Sequence, residues 1–560
     1  MSSCHSNFVG EIEHTNYLSK DIGALYLSGD YSDITLIVSG QRFDVHKAIL
    51  AARSQYFRAL LYGGLKESTQ SEIELKEPTI PAFKELLKYI YTGHISLSNQ
   101  KEEVILDILG LVHQYSFIQL ESAICDYLIE IHSLENVCII FDAARLYQLE
   151  NLMKVCYSFM DKDAAKIIKH KSFLQLSSCA LIDLLARDSF FAVEIEIFQA
   201  VQSWIEANTG VEFDKILEQV RLNLISISHL LKIVRPTALV SSDAILDAIA
   251  ANLEPKNLHL NYRGLLLTDV DIVGSCIDTE VLQGEAGHYL LDGDCVSYDL
   301  ERGYTWHQIN GPPDNCILIK FGNQCIINHM KMLLWDLDSR SYSYYIEVSV
   351  DKKNWVEVID HSDYLCRSWQ YIYFEPRVVL YIRIIGTNNT VNKVFHLVRF
   401  EAYFIHHSEK LSNGIIIPTR NVALMKQGAC VNEGVSRSRN VLLNGDLQNY
   451  DWERGYTCHQ LNSGCIQIQL GQPYMIDSMR LLLWDCDDRS YSYYIQVSSD
   501  LKNWELIVDK TKESCRSWQI LRFSPPRVVV FIKIIGTNNT ANGVFHCVHF
   551  ECPAQENEIN

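Results

Sequence analysis

The stretch LLWDLDSRSYSYYI, Leu333–Ile346, returns almost unchanged as LLWDCDDRSYSYYI at Leu482–Ile495. Outward from it, GYT-x-HQ begins at Gly303 and Gly455, NW at Asn354 and Asn503, CRSWQ at Cys366 and Cys515, and IIGTNNT at Ile384 and Ile534. The copies are 152 residues apart early, 149 in the middle and 150 late. Motifs kept in order with such small slips predict two copies of one folded domain of about 150 residues, their length differences confined to loops. That leaves the first half of the chain for a different job.

A length of 560 residues with 48% hydrophobic content supports three or four domains, each with its own core. The net charge of −19 argues against a nucleic-acid surface, because neutralising phosphates needs clustered Lys and Arg. The opening MSSCHSNFVGEIEHT is polar and acidic where a secretory leader is apolar, and no later run gives about 18 unbroken apolar residues. The expectation is an intracellular, cytoplasmic chain with no membrane insertion.

The 17 cysteines are odd in number, scattered and free of any CxxC pair, which suits reduced thiols and argues against zinc. Cys430 and Cys552 bracket the second repeat and are the one pair placed to staple its ends, whereas Cys276 finds Ala402 at the matching end of the first. Each repeat carries an N-x-T sequon, at Asn388 and Asn538, which would stay bare in the cytosol.

Near the N-terminus an apolar-patterned segment, Tyr17 to Leu27, precedes the β-branched run YSDITLIV and a turn at Ser39-Gly40. RFDVHKAILAARSQYFRALLYGG then places Ile49, Leu50, Phe57, Leu60 and Leu61 on one helical face before Gly63-Gly64. PAFKELLKYIYTG repeats the helical spacing with Phe83, Leu86, Leu87 and Ile90, Pro81 in the first turn and Gly93 as the stop. Together with Asp33 before the strand, Val45-His46-Lys47, Ser54-x-Tyr56-Phe57 and Tyr91-Thr92-Gly93, this pattern resembles the BTB/POZ domain. The resemblance implies a homodimer and, in some members, recruitment of the cullin-3 ligase scaffold. It also implies a charged pocket pair at Asp33 and Lys47, satisfying each other, and a cullin contact at Leu65, Lys66 and Glu67.

From Leu134 to about Leu253 the chain is periodic at helical spacing and poor in Gly and Pro. EIEIFQAVQSWIEANTG puts Ile197, Phe198, Val201, Trp204 and Ile205 on one side, as core, and stops at Gly210. ENVCIIFDAARLYQLENLMKVCYSFM reads as two antiparallel helices jointed near Gln148. The block resembles the BACK domain that follows BTB in many adaptors, whose first helical pair, here Leu134 to Met160, extends the cullin contact.

Within the repeats the period changes to two. VVLYIRII sets Leu380, Ile382 and Ile384 against Tyr381 and Arg383, and VVVFIKII does the same with Val530, Ile532 and Ile534. Short aromatic strands between turns such as LDGD and TNN predict an antiparallel β-sandwich. With Leu291-Asp292-Gly293-Asp294, Gly303-Tyr304-Thr305, Asn354-Trp355, Ser368-Trp369-Gln370 and Arg383-Ile384, this is similar to the discoidin, or coagulation-factor type C, jelly roll. Ligands of that fold meet loops at one end of the sandwich. The candidate ligand or substrate residues are therefore Asp292, Asp294, Arg340 and Tyr342, with Asn444, Asp446, Arg489 and Tyr491. Arg340 and Arg489 have the fork to grip a carboxylate. They can equally close on Asp336 or Asp338, and on Asp485 or Asp487. The Asp-rich turns need their acids as turns, and His307 and His459, recurring at one position, suit structural hydrogen bonds. No metal and no cofactor is expected.

Cys458-His459 sits side by side on a strand, where neighbours point apart, and the other copy has Trp306. No phosphate loop, HExxH or GxSxG occurs, so a non-catalytic chain is expected. The fold class expected is multidomain α+β: an α/β BTB/POZ domain over 1–130, an all-α BACK domain over 134–253 and a linker over 254–270. Two discoidin-like sandwiches follow at 271–403 and 425–552, joined by 404–424, with a tail at 553–560. That order resembles the BTB/POZ-domain-containing protein nine family. It implies a dimeric cullin-3 adaptor whose sandwiches capture an unknown protein substrate. The alternatives are a scaffold that binds no ligase, and an extracellular glycan or lipid binder.

Overall fold

The computed structural model describes residues 15–64, 66–253, 261–266, 278–311, 315–406, 408–438 and 440–555. The chain divides into two compact units, Met1–Leu253 and Glu254–Asn560.

In the first unit, strands Ile34–Val38 and Gln41–Val45 form a hairpin. Ser39 and Gly40 both take positive φ, 47° and 79°, the turn geometry whose twist matches the flanking strands. Glu72–Leu75 joins in parallel to complete a three-stranded sheet. One expectation is corrected here: Arg42–Val45 is a strand, and the helical run behind it is two helices, Lys47–Arg53 and Gln55–Tyr62. Alternate burial of Phe43 and Val45 against the first strand overrides the helical period. Ser54 makes the break, because its extended backbone lets Oγ accept from the Phe57 N–H at 3.2 Å and donate to the Tyr115 carbonyl at 2.7 Å.

Helix Ile80–Thr92 runs as its sequence predicts, burying Phe83, Leu86, Leu87 and Ile90 and ending on Gly93 at φ 69°. Helices Val137–Leu146 and Glu150–Lys162 form the antiparallel pair, jointed where Gln148 takes φ 55°. In helix Glu194–Ala207 Trp204 is buried and donates its indole N–H to the Leu176 carbonyl at 2.9 Å. A single apolar core runs from Ile34 to Ala248, so the sheet-bearing part and the helical part are packed without a break.

The second unit holds two β-sandwiches built to one plan. In the first, strands Ile317–Leu334 and Trp369–Asn389 are paired through most of their length and bend at bulges, with Tyr342–Ser349, Val356–Cys366 and Val394–Tyr403 completing the fold. Ile466–Leu483 and Trp518–Asn539 repeat this in the second. The recurring glycine of IIGTNNT has a packing reason: a Cβ on Gly386 would lie 2.3 Å from the Phe395 ring, and one on Gly536 2.4 Å from Phe545.

Within residues 404–424, a linker by sequence, Ile405 is hydrogen-bonded to Asn328 of the first sandwich, and the part from Leu411 onward belongs to the second. Leu411–Ser412 and Ile415–Ile416 form a small hairpin, Ile416 pairs with Tyr474, and the Val422 N–H donates to the Cys552 carbonyl at 2.7 Å. Leu265–Leu266 pairs with Cys325–Ile326 in the same manner, so each sandwich starts before its expected boundary. Cys430 and Cys552 are buried and are not joined in a disulfide, and Cys276 lies outside the described residues.

The two sandwiches meet along a polar seam. The Arg367 N–H and Gln370 Nε2 both donate to the Gly471 carbonyl, at 2.9 and 2.8 Å. Gln472 exchanges hydrogen bonds with the Tyr371 backbone, and Gln469 Nε2 donates to Ser341 Oγ at 2.9 Å. Arg367 is 5% exposed, and its guanidinium donates to Cys430 Sγ and to the Asp336 and Asp338 carbonyls. Tyr371 and Tyr373 pack against the core of the second sandwich.

Candidate functional site

In the first unit, Lys66 and Glu67 begin a short 3-10 turn, Lys66–Thr69, with Lys66 exposed and Glu67 half-buried; Leu65 lies outside the described residues. The turn follows helix Gln55–Tyr62, whose last residue Tyr62 is exposed. The start of that helix lines a groove of about 300 Å³ with Arg53, Arg58, Tyr89 and Ile118, and Ile118 is 77% exposed. Asp33 and Lys47 do not pair through their side chains. Asp33 accepts the Lys47 backbone N–H at 2.7 Å, while the Lys47 ammonium reaches the Ser68 carbonyl at 3.5 Å. Asp33 thus serves an otherwise orphaned donor at the start of helix Lys47–Arg53.

At the loop end of the first sandwich, Asp292 accepts the Asp294 N–H at 2.8 Å, and Asp294 accepts those of Val296 and Ser297 at 2.8 and 3.0 Å. Asn444 and Asp446 repeat this on Asp446, Gln448 and Asn449. These backbone donors hold the Asp294 and Asp446 carboxyls below the usual range. The acids therefore shape exposed turns.

Arg340 and Arg489 take the internal pairing with an aspartate that the sequence allowed, and with Tyr342 and Tyr491 they lie beneath the loops. Arg340 is 8% exposed, forks onto Asp338 at 2.8 and 2.7 Å and lies 4.1 Å from the Trp335 ring centre. Arg489 does the same on Asp487, at 2.7 and 2.7 Å, and over Trp484 at 4.3 Å. Asp487 is pushed down to about 2 by its hydrogen bonds from Arg489. Tyr342 and Tyr491 are fully buried, each bonding a histidine, His396 at 3.1 Å and His546 at 3.2 Å. The Nε–Nη2 edge of each arginine is thus already taken by its aspartate.

What these supports present is apolar. Val296 is 82% exposed, Leu300 72% and Trp452 61%, with Leu337 and Leu447 also exposed. Exposed acids lie on the loops of the second sandwich, Glu453 next to Trp452 in sequence and paired with Arg437, and Asp488 paired with Arg516. Sequence reasoning named the loops that carry these residues, Asp292–Thr305, Trp335–Tyr342 and Asn444–Thr457, but singled out their polar side chains; the available signal was an apolar residue inside a run of turn formers, as in Asp294-Cys295-Val296-Ser297.

His307 and His459 each accept a glycine N–H on Nε2 at 2.9 Å, from Gly386 and Gly536, and face a glutamine carbonyl with Nδ1. Among the described residues no three His, Cys, Asp or Glu side chains converge as a metal site, and no helix is long and apolar enough to cross a membrane. Cys458 and His459 differ in burial on one strand, as neighbours pointing to opposite faces do.

Family profiles match along the chain: "BTB/POZ domain" at residues 22–132, "BTB And C-terminal Kelch" at 137–235, and "F5/8 type C domain" at 278–400 and 429–550. The fold is thus that of a BTB and BACK protein carrying two F5/8 type C sandwiches. The chain is 53% identical over 549 residues to BTB/POZ domain-containing protein 9 of Homo sapiens, covering 98% of this chain and 90% of that one. It is 50% identical over 538 residues to the Drosophila melanogaster protein of the same name, covering 96% and 74%. Kelch-like protein 3 of Mus musculus is 26% identical over 289 residues, covering 50% and 48%. The chain belongs to the BTB/POZ domain-containing protein 9 family.

Proposed function

We propose that the chain is a non-catalytic, dimeric substrate adaptor of a cullin-3 RING ubiquitin ligase, working in the cytoplasm. The BTB and BACK part binds itself and the cullin, and the sandwich pair captures a protein target. The observation that carries this reading is the pairing of a BTB–BACK unit with exposed apolar loop tips on a separate unit. Large exposed apolar residues rimmed by charge are the mark of a protein-binding surface. On the ligase side, the half-buried Glu67 turn follows helix Gln55–Tyr62 and the groove at Ile118 is lined by the start of that helix, which supports a contact along it.

The test is recovery of cullin-3 with the purified chain. Glu67→Lys is expected to reduce recovery at least tenfold, about 1.4 kcal/mol, without changing the circular dichroism spectrum. Undiminished recovery removes the ligase reading, and a persistent dimer with no cullin-3 at all leaves a scaffold in its place. Sedimentation equilibrium of the full chain checks the dimer itself.

A further inference from the structure

The seam between the sandwiches is a recognition event seen once, while its receptor is present twice. In the first sandwich CRSWQ and the residue after it, Cys366 to Tyr371, bind an extended Leu470-Gly471-Gln472 from the second. The Gly471 carbonyl takes two hydrogen bonds, and the Gln472 amide bonds both the N–H and the carbonyl of Tyr371. Glycine fits closely here: a Cβ on Gly471 would sit 2.7 Å from the Gln427 carbonyl of its own sandwich and 3.2 Å from the Trp369 carbonyl of the motif it binds. On the second CRSWQ, Cys515–Gln519, no counterpart of Leu470-Gly471-Gln472 lies among the described residues, and Arg516 meets the Asp485 carbonyl and Asp488 of its own sandwich. Gln519 Nε2 keeps only the equivalent internal bonds, to the Arg516 and Trp518 carbonyls, and Ile520, the counterpart of Tyr371, is 59% exposed.

An independent observation marks the empty copy as incomplete. Under the filled copy, buried Tyr344 donates its hydroxyl to Gln370 Oε1 at 3.0 Å. Under the empty one, the equivalent Tyr493 is fully buried and its hydroxyl has no hydrogen-bond partner among the described residues. A buried orphan hydroxyl is costly and calls for a reason. Gln519 turned as Gln370 is turned would satisfy it, and in the filled copy the Gly471 carbonyl joins those of Arg367, Ser368 and Trp369 in holding the glutamine in that pose.

We propose that Arg516–Ile520 is a docking site for an extended Gly-Gln segment of a partner protein. Docking sets Gln519 in the pose of Gln370, so that it accepts from Tyr493. The ligand chemistry is taken from the filled copy: a carbonyl preceding a Gln, no side chain at the Gly. A second copy of this chain is a poorer occupant, because its first sandwich offers Phe321-Gly322-Asn323 there. Asn is one methylene shorter than Gln and does not span both backbone groups. The inference is independent of cullin binding.

The test uses the full chain carrying 13C-labelled isoleucine methyl groups and the peptide acetyl-Gln-Leu-Gly-Gln-Pro-Tyr-amide. The Ile520 methyl signal is expected to shift and saturate with peptide. Gln519→Ala is expected to weaken the peptide about fivefold, the loss of one hydrogen bond. Tyr493→Phe, which keeps the shape of the core, weakens it by a similar factor, an effect that a merely structural tyrosine would not produce. A peptide with Ala in place of Gly should bind more weakly. The proposal is overturned by an Ile520 signal that never moves, by equal binding of the Ala peptide, or by concentration-dependent self-association that Arg516→Glu abolishes.

Discussion

Gln472 stands in for an edge strand: its side-chain amide accepts the Tyr371 N–H at 2.6 Å and donates to the Tyr371 carbonyl at 2.9 Å. One side chain of the second sandwich thus completes the backbone ladder of the first. With Gly471 doubly bonded beside it, the pair of repeats holds together as one compact unit.

Cutting that link should loosen the pair without unfolding either sandwich. Gln472 is 1% exposed, so Gln472→Ala leaves a buried N–H and carbonyl unserved, at a cost of about 2 kcal/mol. Limited proteolysis should then cut within 404–424 faster than in the parent chain. Equal cutting rates would show that the seam does not rest on these bonds.

The arginine supports should matter to the loops and not tolerate lysine. Arg340→Ala removes a fork onto Asp338 and a stack on Trp335, an expected loss of about 2 kcal/mol in chemical denaturation. Arg340→Lys should recover less than half of it, since an ammonium cannot meet both carboxylate oxygens and cover the ring. Full recovery with lysine would mean that charge alone is what the site needs.

The two equivalent tyrosines should respond differently to loss of their hydroxyls. Tyr344→Phe breaks the bond to Gln370 and strips a partner from His361, costing about 1.5 kcal/mol. Tyr493→Phe removes an orphan hydroxyl and should be neutral or stabilising in the peptide-free chain. Thermal melts of the two variants decide it, and equal losses would refute the asymmetry.

Acid should weaken the first sandwich before the second. Burial pushes His329, His361 and His396 down to about 4, and His546 of the second sandwich likewise. Each is depressed in the folded state, so the unfolded chain binds the proton first. Their stabilising neutrality is complete above about pH 6.5 and is lost as pH falls toward 4, by up to about 1.4 kcal/mol per pH unit for each histidine. Differential scanning calorimetry between pH 7 and 4.5 should show falling stability. His361→Phe should flatten the slope, and an unchanged slope would assign the effect elsewhere.

Much of the architecture was legible because it is written in local chemistry. Pro81 and Gly93 bound a helix with four apolar residues at helical spacing, and that helix is present over Ile80–Thr92. The break at Ser54 was not legible, since it depends on the Tyr115 carbonyl 61 residues away. For the candidate site the balance is reversed. For Arg340 and Arg489 the sequence offered an internal partner at either of two acids, and only the fold shows each closed on the acid two residues earlier and stacked on a tryptophan.

The sequence alone determined the domain order, the duplication and the alternation that makes the repeats β, because periodicity, turn residues and repeated motifs act within a few neighbours. The tertiary structure decided which of two identical motifs is occupied. CRSWQ is spelled the same at Cys366 and Cys515, yet one copy is buried against Gly471 and Gln472 and the other faces solvent. A hydrogen bond between residues about a hundred positions apart depends on where two backbones pass in space, and no local pattern encodes that.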